Sequence, residues 1–445
     1  MQLVPRLTRM TALVLGITGA LALGQAQATG FQLRENSVKN LGRAYSGTAV
    51  ANDDASVVAN NPAAMTNLDK TTVQVDVTMI DLTAEFTGSA TSAFGTPVNG
   101  GNGGDPGSAQ AVPAMAIVVP LSGGFEGLTV GASVSAPFGL KTEYEQDWVG
   151  RYNAITSDVK TIDLTLSAAL KLHDRFSVGV GFIYEHADVT LSNGVDFGTG
   201  LAAMGVPGFS PGSADGQVSV SGTDNGFGWL IGAQWQPTDQ LSIGYSHRSE
   251  IDHELQGDAT FTKPGSVAAV FGAFGVRTYD NGAIYAPLTT PSIDTFSARY
   301  DFSDSFRMMA DIQSTDWHSL GAVDVYRANG SQLAHEIFNW EDTMFYSLGA
   351  EFDLSDAFTL RAGAGMDETP TNDVARSPRL PDNDRMLYSV GLSWNMSENM
   401  TIDAAYTRIE IDTPTVNSTS TSGSRLVGSF EGHADLVGVS TQYRF

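Results

Sequence analysis

The chain of 445 residues contains no cysteine, which excludes a disulfide framework, a thiolate zinc site, an iron–sulfur cluster and a cysteine nucleophile. Charge is scarce too: 16% of residues are charged, against roughly 25% in an average protein. Positive charge is scarcest, with 24 Lys and Arg facing 49 Asp and Glu for a formal net charge of −25. A surface so poor in cations cannot neutralise a run of phosphates, so no nucleic-acid partner is expected. Beyond the extreme N-terminus no apolar run approaches the about 20 residues that a membrane-crossing helix needs. Helical membrane bundle, collagen and coiled coil are all excluded. The chain is nevertheless 42% hydrophobic, so it is not expected to be disordered.

Residues 1–28 carry Arg6 and Arg9, an apolar stretch from Met10 to Leu23, and then Ala26-Gln27-Ala28. A basic start, a short apolar core and a small-x-small site form the pattern of a secretory signal peptide. The core is broken by Gly16, Gly19 and two threonines and is too short for a membrane anchor. Residues 29–70 and 71–445 are the two remaining units.

From residue 71 onward apolar and polar residues alternate. Phe227, Trp229, Ile231, Ala233 and Trp235 share one parity, as do Phe176, Val178, Val180, Phe182 and Tyr184. The same holds for Met344 to Phe352 and for Met386 to Trp394. Period two places each set on one face of a strand, with Gly, Ser, Thr and charge on the other. Short turns such as His173-Asp174-Arg175, Ser303-Asp304-Ser305 and Ser355-Asp356-Ala357 separate some runs. Long Gly/Ser/Asn-rich connections near 88–110, 192–225, 259–291, 369–383 and 413–430 separate others. Short turns at one end and long loops at the other predict an all-β fold, a transmembrane antiparallel β-barrel. About fourteen strands are expected, beginning near 72, 111, 126, 158, 176, 226, 241, 292, 306, 334, 357, 384, 399 and 431. The last places Val437, Val439, Thr441, Tyr443 and Phe445 on the lipid face, where an aromatic girdle belongs. Closure leaves no backbone edge in hydrocarbon, where each unsatisfied group costs several kcal/mol.

Residues 29–70 do not alternate. They contain Gly42-Arg43-Ala44-Tyr45-Ser46-Gly47, Asp53-Asp54 and Asn61-Pro62-Ala63. Phe31, Leu33, Leu41, Tyr45, Val57 and Val58 favour a packed plug within the lumen over a disordered tail. With Gly30-Phe31-Gln32-Leu33, Gly150-Arg151-Tyr152, Tyr245 to Glu250 and Leu380-Pro381-Asp382-Asn383-Asp384-Arg385, this pattern resembles the FadL-type outer-membrane transporters of long-chain fatty acids and other hydrophobic compounds. The spaced matches cover essentially the whole chain after residue 28. The resemblance implies a fourteen-stranded barrel closed by an N-terminal hatch, whose motif residues here are Gly42, Arg43, Tyr45, Gly47, Asn61, Pro62 and Ala63. It also implies a substrate path from outer loops to an internal greasy pocket, then sideways through a kinked third strand. Pro137, Phe138 and Gly139 stand at that place. Proline cannot donate to the ladder and glycine tolerates a bulge, so pairing either breaks there or simply ends near a rim.

Two loops are unusually apolar. One holds Phe197, Leu201, Met204, Val206 and Phe209; the other holds Val267, Val270, Phe271, Phe274 and Val276. They form a docking groove, or pack on one another as a lid, or both. Ligand arrival is expected to displace Phe31 and open the path toward Pro137–Gly139. Cations for a carboxylate headgroup are Arg151, in the matched segment, and Arg299, Arg307, Arg361 and Arg385, which parity points inward. Pairing of each Arg with hatch or lumen acids is the stronger alternative, because interior charges need partners.

No G-x-S-x-G, H-E-x-x-H or P-loop occurs, and no enzyme activity, cofactor or metal is expected. The expected partners are a hydrophobic small molecule, fatty acid or hydrocarbon, and outer-membrane lipid. A monomer in the outer membrane of a Gram-negative bacterium is expected, although the sequence leaves oligomeric state open. A general porin and a barrel-embedded lipid hydrolase are the rival readings.

Overall fold

The computed structural model describes residues 30–445, and the expected signal peptide at 1–28 lies outside the described residues. One sheet closes on itself as a barrel of fourteen strands, several of them interrupted. The first two are β1 (Thr72–Thr91) and β2 (Ala109–Pro120). The third is split into β3 (Leu128–Ser135) and β4 (Gly139–Glu143). Next come β5 (Thr156–His173), β6 (Phe176–Asp196) and β7 (Asp215–Trp235). The seventh is β8 (Leu241–Arg248) plus β9 (Ile251–Thr262), and the eighth β10 (Gly282–Thr290) plus β11 (Ile293–Ser303). The ninth is β12 (Phe306–Thr315) plus β13 (Ala322–Arg327), and the tenth β14 (Gln332–Ile337) plus β15 (Thr343–Ser355). β16 (Phe358–Asp367), β17 (Arg385–Ser397) and β18 (Met400–Ile411) follow. A short outer strand, β19 (Thr415–Thr419), precedes the last, β20 (Arg425–Arg444). β20 pairs with β1 from Thr72↔Arg444 to Thr91↔Arg425, so the seam has no free edge.

Alternation sets the two faces of the wall. Along β17, Met386, Tyr388, Val390, Leu392 and Trp394 point outward, while Arg385, Leu387, Ser389 and Ser393 are buried inside. Rings gather near the short turns: Phe358 stacks on Trp394 at 6.4 Å and Tyr443 meets Phe445 at 4.8 Å. That is the interfacial girdle of a membrane barrel. Several strands reach further outward than their apolar alternation does. β7 begins at Asp215 rather than near 226, because the polar stretch Gln217–Thr223 still pairs with β9. β20 likewise begins at Arg425 rather than near 431. Backbone pairing continues above the lipid, where hydropathy no longer marks it.

Residues 30–68 fill the lumen with short helical turns, among them α1 (Val38–Leu41) and α2 (Val57–Asn60). The Asn61-Pro62 pair starts the turn over Pro62–Asn67: the Asn61 side chain accepts from Ala63 N–H, and Pro62 needs no donor there. Glycines on the inner wall make the seats for this hatch. A Cβ on Gly232 would lie 1.9 Å from Asn61 Oδ1, and one on Gly363 would lie 2.3 Å from the Arg43 backbone. The glycine-rich inner face is thus a contact surface, not only a wet lining.

Candidate functional site

The wall opens at the third strand. β3 pairs with β2 over Met115–Pro120, but among the described residues β4 pairs only with β5, and residues Ala109–Ala114 of β2 pair only with β1. Between β3 and β4 lie Ala136, Pro137 and Phe138, and Pro137 supplies no N–H to either neighbour.

The hatch tip fills this place. Leu33 N–H donates to the Pro137 carbonyl at 2.7 Å, and Gly139 N–H donates to the Phe31 carbonyl at 2.7 Å. Gln32 and Phe138 face each other in this short antiparallel bridge. The tip therefore supplies the backbone partners that a continuous β2–β4 ladder would have supplied. Phe31 sits in an aromatic cage, with ring centroids 5.0 Å from Trp317 and 5.7 Å from both Phe138 and Trp340.

Trp317 is there because the seventh, eighth and ninth strands break at one level. Arg248 pairs with Ile293 and Ile293 with Thr315, each at the edge of an interruption. The turn Trp317–Leu320 swings inward, leaving Trp317 fully buried. Asp316 and His318 at the start of that turn and Asp342, just before β15, bring metal-ligand-type atoms within 4.8 Å of one another. His318 N–H donates to Asp342, so the group closes the turn that carries Trp317. Above the cage the lumen is apolar: Leu140, Val159, Leu255, Phe261, Ile284 and Leu288 join Phe31 and both tryptophans in one cluster. With the tip seated, the cavity between it and the wall measures about 90 Å³, below the roughly 300 Å³ at which small-molecule pockets begin.

The hatch body is held differently. Arg43 donates to Glu351 at 2.5 Å, and the same carboxylate receives Arg307 at 2.6 Å and Arg361 at 2.7 Å. Tyr45 donates to Glu35 at 2.7 Å, and Gly47 N–H donates to Asp311. Gly47 has φ +76, and a Cβ there would meet Met309 at 2.8 Å. Gly42 packs against Gly391, while Ser177 Oγ donates to the Ala63 carbonyl.

The four inward-pointing arginines all have acidic partners. Arg307 and Arg361 share Glu351, Arg299 meets Asp301 at 2.8 Å, and Arg385 bonds Asp382. Arg151 lies near the outer loops, 3.1 Å from Asp215.

The apolar outer loops carry α3 (Phe197–Ala203) and α4 (Gly265–Phe274). Phe197, Leu201, Val267 and Phe271 bury one another, with Val206, Phe209 and Val270 packed at the margin. Met204 and Phe274 project outward, 69% and 71% exposed.

The sequence profile described as "Outer membrane protein transport protein (OMPP1/FadL/TodX)" matches residues 19–445. The chain belongs to this family. It is 28% identical to a "Long-chain fatty acid transport protein" of Escherichia coli O6:H1, over 89% of this chain and 90% of that one. It is 27% identical to "Outer membrane protein P1" of Haemophilus influenzae, over 96% and 97% of the two chains. The crystal structure of a Pseudomonas aeruginosa FadL homologue superposes with a TM-score of 0.88 at 25% identity, covering 94% of this chain and 100% of that one. The Pseudomonas putida toluene transporter TodX, 16% identical with a TM-score of 0.66, shares the fold over 94% and 100% of the two chains. The protein is an outer-membrane transport barrel with an internal hatch.

Residues outside the sequence expectations complete the site. Trp317 and Trp340 cage Phe31, and Arg34 binds Asp367 at 2.7 Å while lying over the Phe345 ring. Arg248 lies behind the kink, bonded to Asp163 at 2.5 Å and Glu185 at 2.8 Å. Of Trp317, Trp340, Arg34 and Arg248 only Arg248 lies on a strand, at the end of β8, so parity is silent on the other three, and nothing local marks the partners of any of them.

Proposed function

We propose that this barrel takes up long-chain fatty acids or similar hydrophobic compounds by passive diffusion. The substrate docks at the apolar seam of α3 and α4, enters the apolar lumen and displaces Phe31. It then leaves sideways between β2 and β4 into the bilayer, and the barrel works as a monomer. Burial supplies the drive: at ~0.8 kcal/mol per methylene, a ten-carbon stretch gains roughly 8 kcal/mol before ordering costs. A water-filled exit would forfeit that gain, whereas a lateral exit keeps the chain in apolar surroundings throughout.

One observation carries this reading. The gap in strand pairing and the hatch tip coincide, so moving Phe31–Leu33 removes the only backbone partners of Pro137 and Gly139 on that side among the described residues. Names of relatives add support, since both a fatty-acid transporter and toluene transporters share the architecture.

Replacing Pro137–Gly139 by Val-Thr-Val should let β3 run into β4 and zip the seam to β2. Uptake of a radiolabelled fatty acid should fall at least ~10-fold while the barrel still folds and resists SDS at room temperature. Unchanged uptake would refute lateral exit. Steady ion conductance of the unmodified protein in planar bilayers would instead favour a general porin.

A further inference from the structure

Five arginines are almost wholly buried: Arg43, Arg361, Arg376, Arg379 and Arg385. Four of them pair with carboxylates, on Glu351, Glu351 with Asp403, Asp373 and Asp382 respectively. Arg379, 4% exposed, has no carboxylate within ion-pair distance among the described residues. Its Nη1 donates to the carbonyls of Thr156 and Ser192, each at 3.2 Å, and its Nη2 donates to Asn193 Oδ1 at 3.0 Å. Its Nε has no acceptor among the described residues. Burial depresses its pKa, and the acid that opposes this, Glu336, acts only through space. A buried cation held by neutral dipoles, with one donor idle, is costly unless an anion arrives.

The surroundings indicate which anion. Arg379 sits in the loop 369–383, which folds down onto the lumen: Tyr144 donates to the Pro378 carbonyl at 2.6 Å and Thr142 to the Arg379 carbonyl at 2.9 Å. The next residue, Leu380, belongs to the apolar cluster that contains Phe31, Phe138 and Trp317. The guanidinium thus stands at the polar edge of this apolar cluster, where an amphiphile would place its head while its tail replaces cluster contacts toward the hatch tip. Two residues beyond Leu380, Asp382 Oδ2 accepts the Gly30 N–H at 3.0 Å, so the same loop also holds the tip.

We infer that Arg379 is the headgroup anchor of the lumen and selects amphiphiles bearing a carboxylate over neutral hydrocarbons. This rests on the transport reading above and adds the substrate's charge. The carboxylate accepts from the idle Nε and from Nη2 in a bidentate pair, sharing Nη2 with Asn193 and leaving the Nη1 bonds to Thr156 and Ser192 in place. The other four almost wholly buried arginines cannot substitute, because each already pairs with a carboxylate.

The test is equilibrium binding to the purified full chain in detergent, using an eighteen-carbon fatty acid, its methyl ester and the matching alcohol. The native protein should bind the acid at least ~10-fold tighter than the ester or alcohol. Arg379→Gln should erase that preference and leave ester and alcohol within ~2-fold, and Arg379→Lys should restore part of it. Equal binding of all three by the native protein overturns the anchor and spares the transport reading, and that comparison needs no variant. An equal fall for acid and alcohol in Arg379→Gln, or an unaltered acid preference, also overturns it. Failure of the native protein to bind any of the three overturns both.

Discussion

The two parts of the hatch are secured by opposite physics. Its body is clamped by charge: Glu351 receives Arg43, Arg307 and Arg361, and Asp311 receives the backbone of Gly47 and Thr48. Its tip is held by ring contacts around Phe31, two backbone bonds to the kink and one from Gly30 to Asp382. Buried ion pairs fail abruptly, since losing one partner strands the others. Apolar contacts can instead be exchanged for those of another apolar molecule with little loss. A hydrophobic substrate can therefore compete with Phe31 but has nothing to offer Arg43. The contrast explains how a plug can open at one corner without leaving the barrel.

The largest expected effect comes from breaking the clamp. Glu351→Ala leaves three buried guanidinium groups short of their shared carboxylate and should cost about 3–5 kcal/mol of hatch docking. The expected readouts are protease cleavage within residues 30–68 and steady conductance in planar bilayers. A hatch as resistant as that of the native protein would show that the clamp is not what holds it. A smaller effect is expected at the tip. Phe31→Ala should weaken tip docking by about 3 kcal/mol, the lower end for a buried phenylalanine. Hydrogen exchange at Leu33 and Gly139 should quicken while the body residues Arg43 to Gly47 stay protected. Equal deprotection of both regions would erase the distinction between them.

Much of the barrel is legible in the sequence, because lipid and lumen demand different side chains at alternate positions. Phe227, Trp229 and Ile231 declare their face without reference to any partner, and all three meet the lipid side. The outer reaches of β7 and β20 are not legible, since polar residues there pair above the membrane with no hydropathic signal. The interior is harder still. Period two shows that Arg361 and Arg379 are different kinds of residue, strand and loop, but not that, among the described residues, one meets three acids and the other none. Trp317 and Trp340 join Phe31 because four adjacent strands, the seventh to the tenth, break at one level. That coincidence belongs to the register between strands, which no single segment encodes.

A chain without cysteine gives a clean background for locking the tip in place. Gln32 and Phe138 are opposed across the short bridge, so Gln32→Cys with Phe138→Cys can join the tip to the kink by a disulfide. Fatty-acid uptake by this double variant should be blocked when oxidised and should return on reduction, with the body of the hatch undisturbed in both states. Equal uptake by the oxidised and reduced forms would contradict release of the tip as the step that opens the barrel.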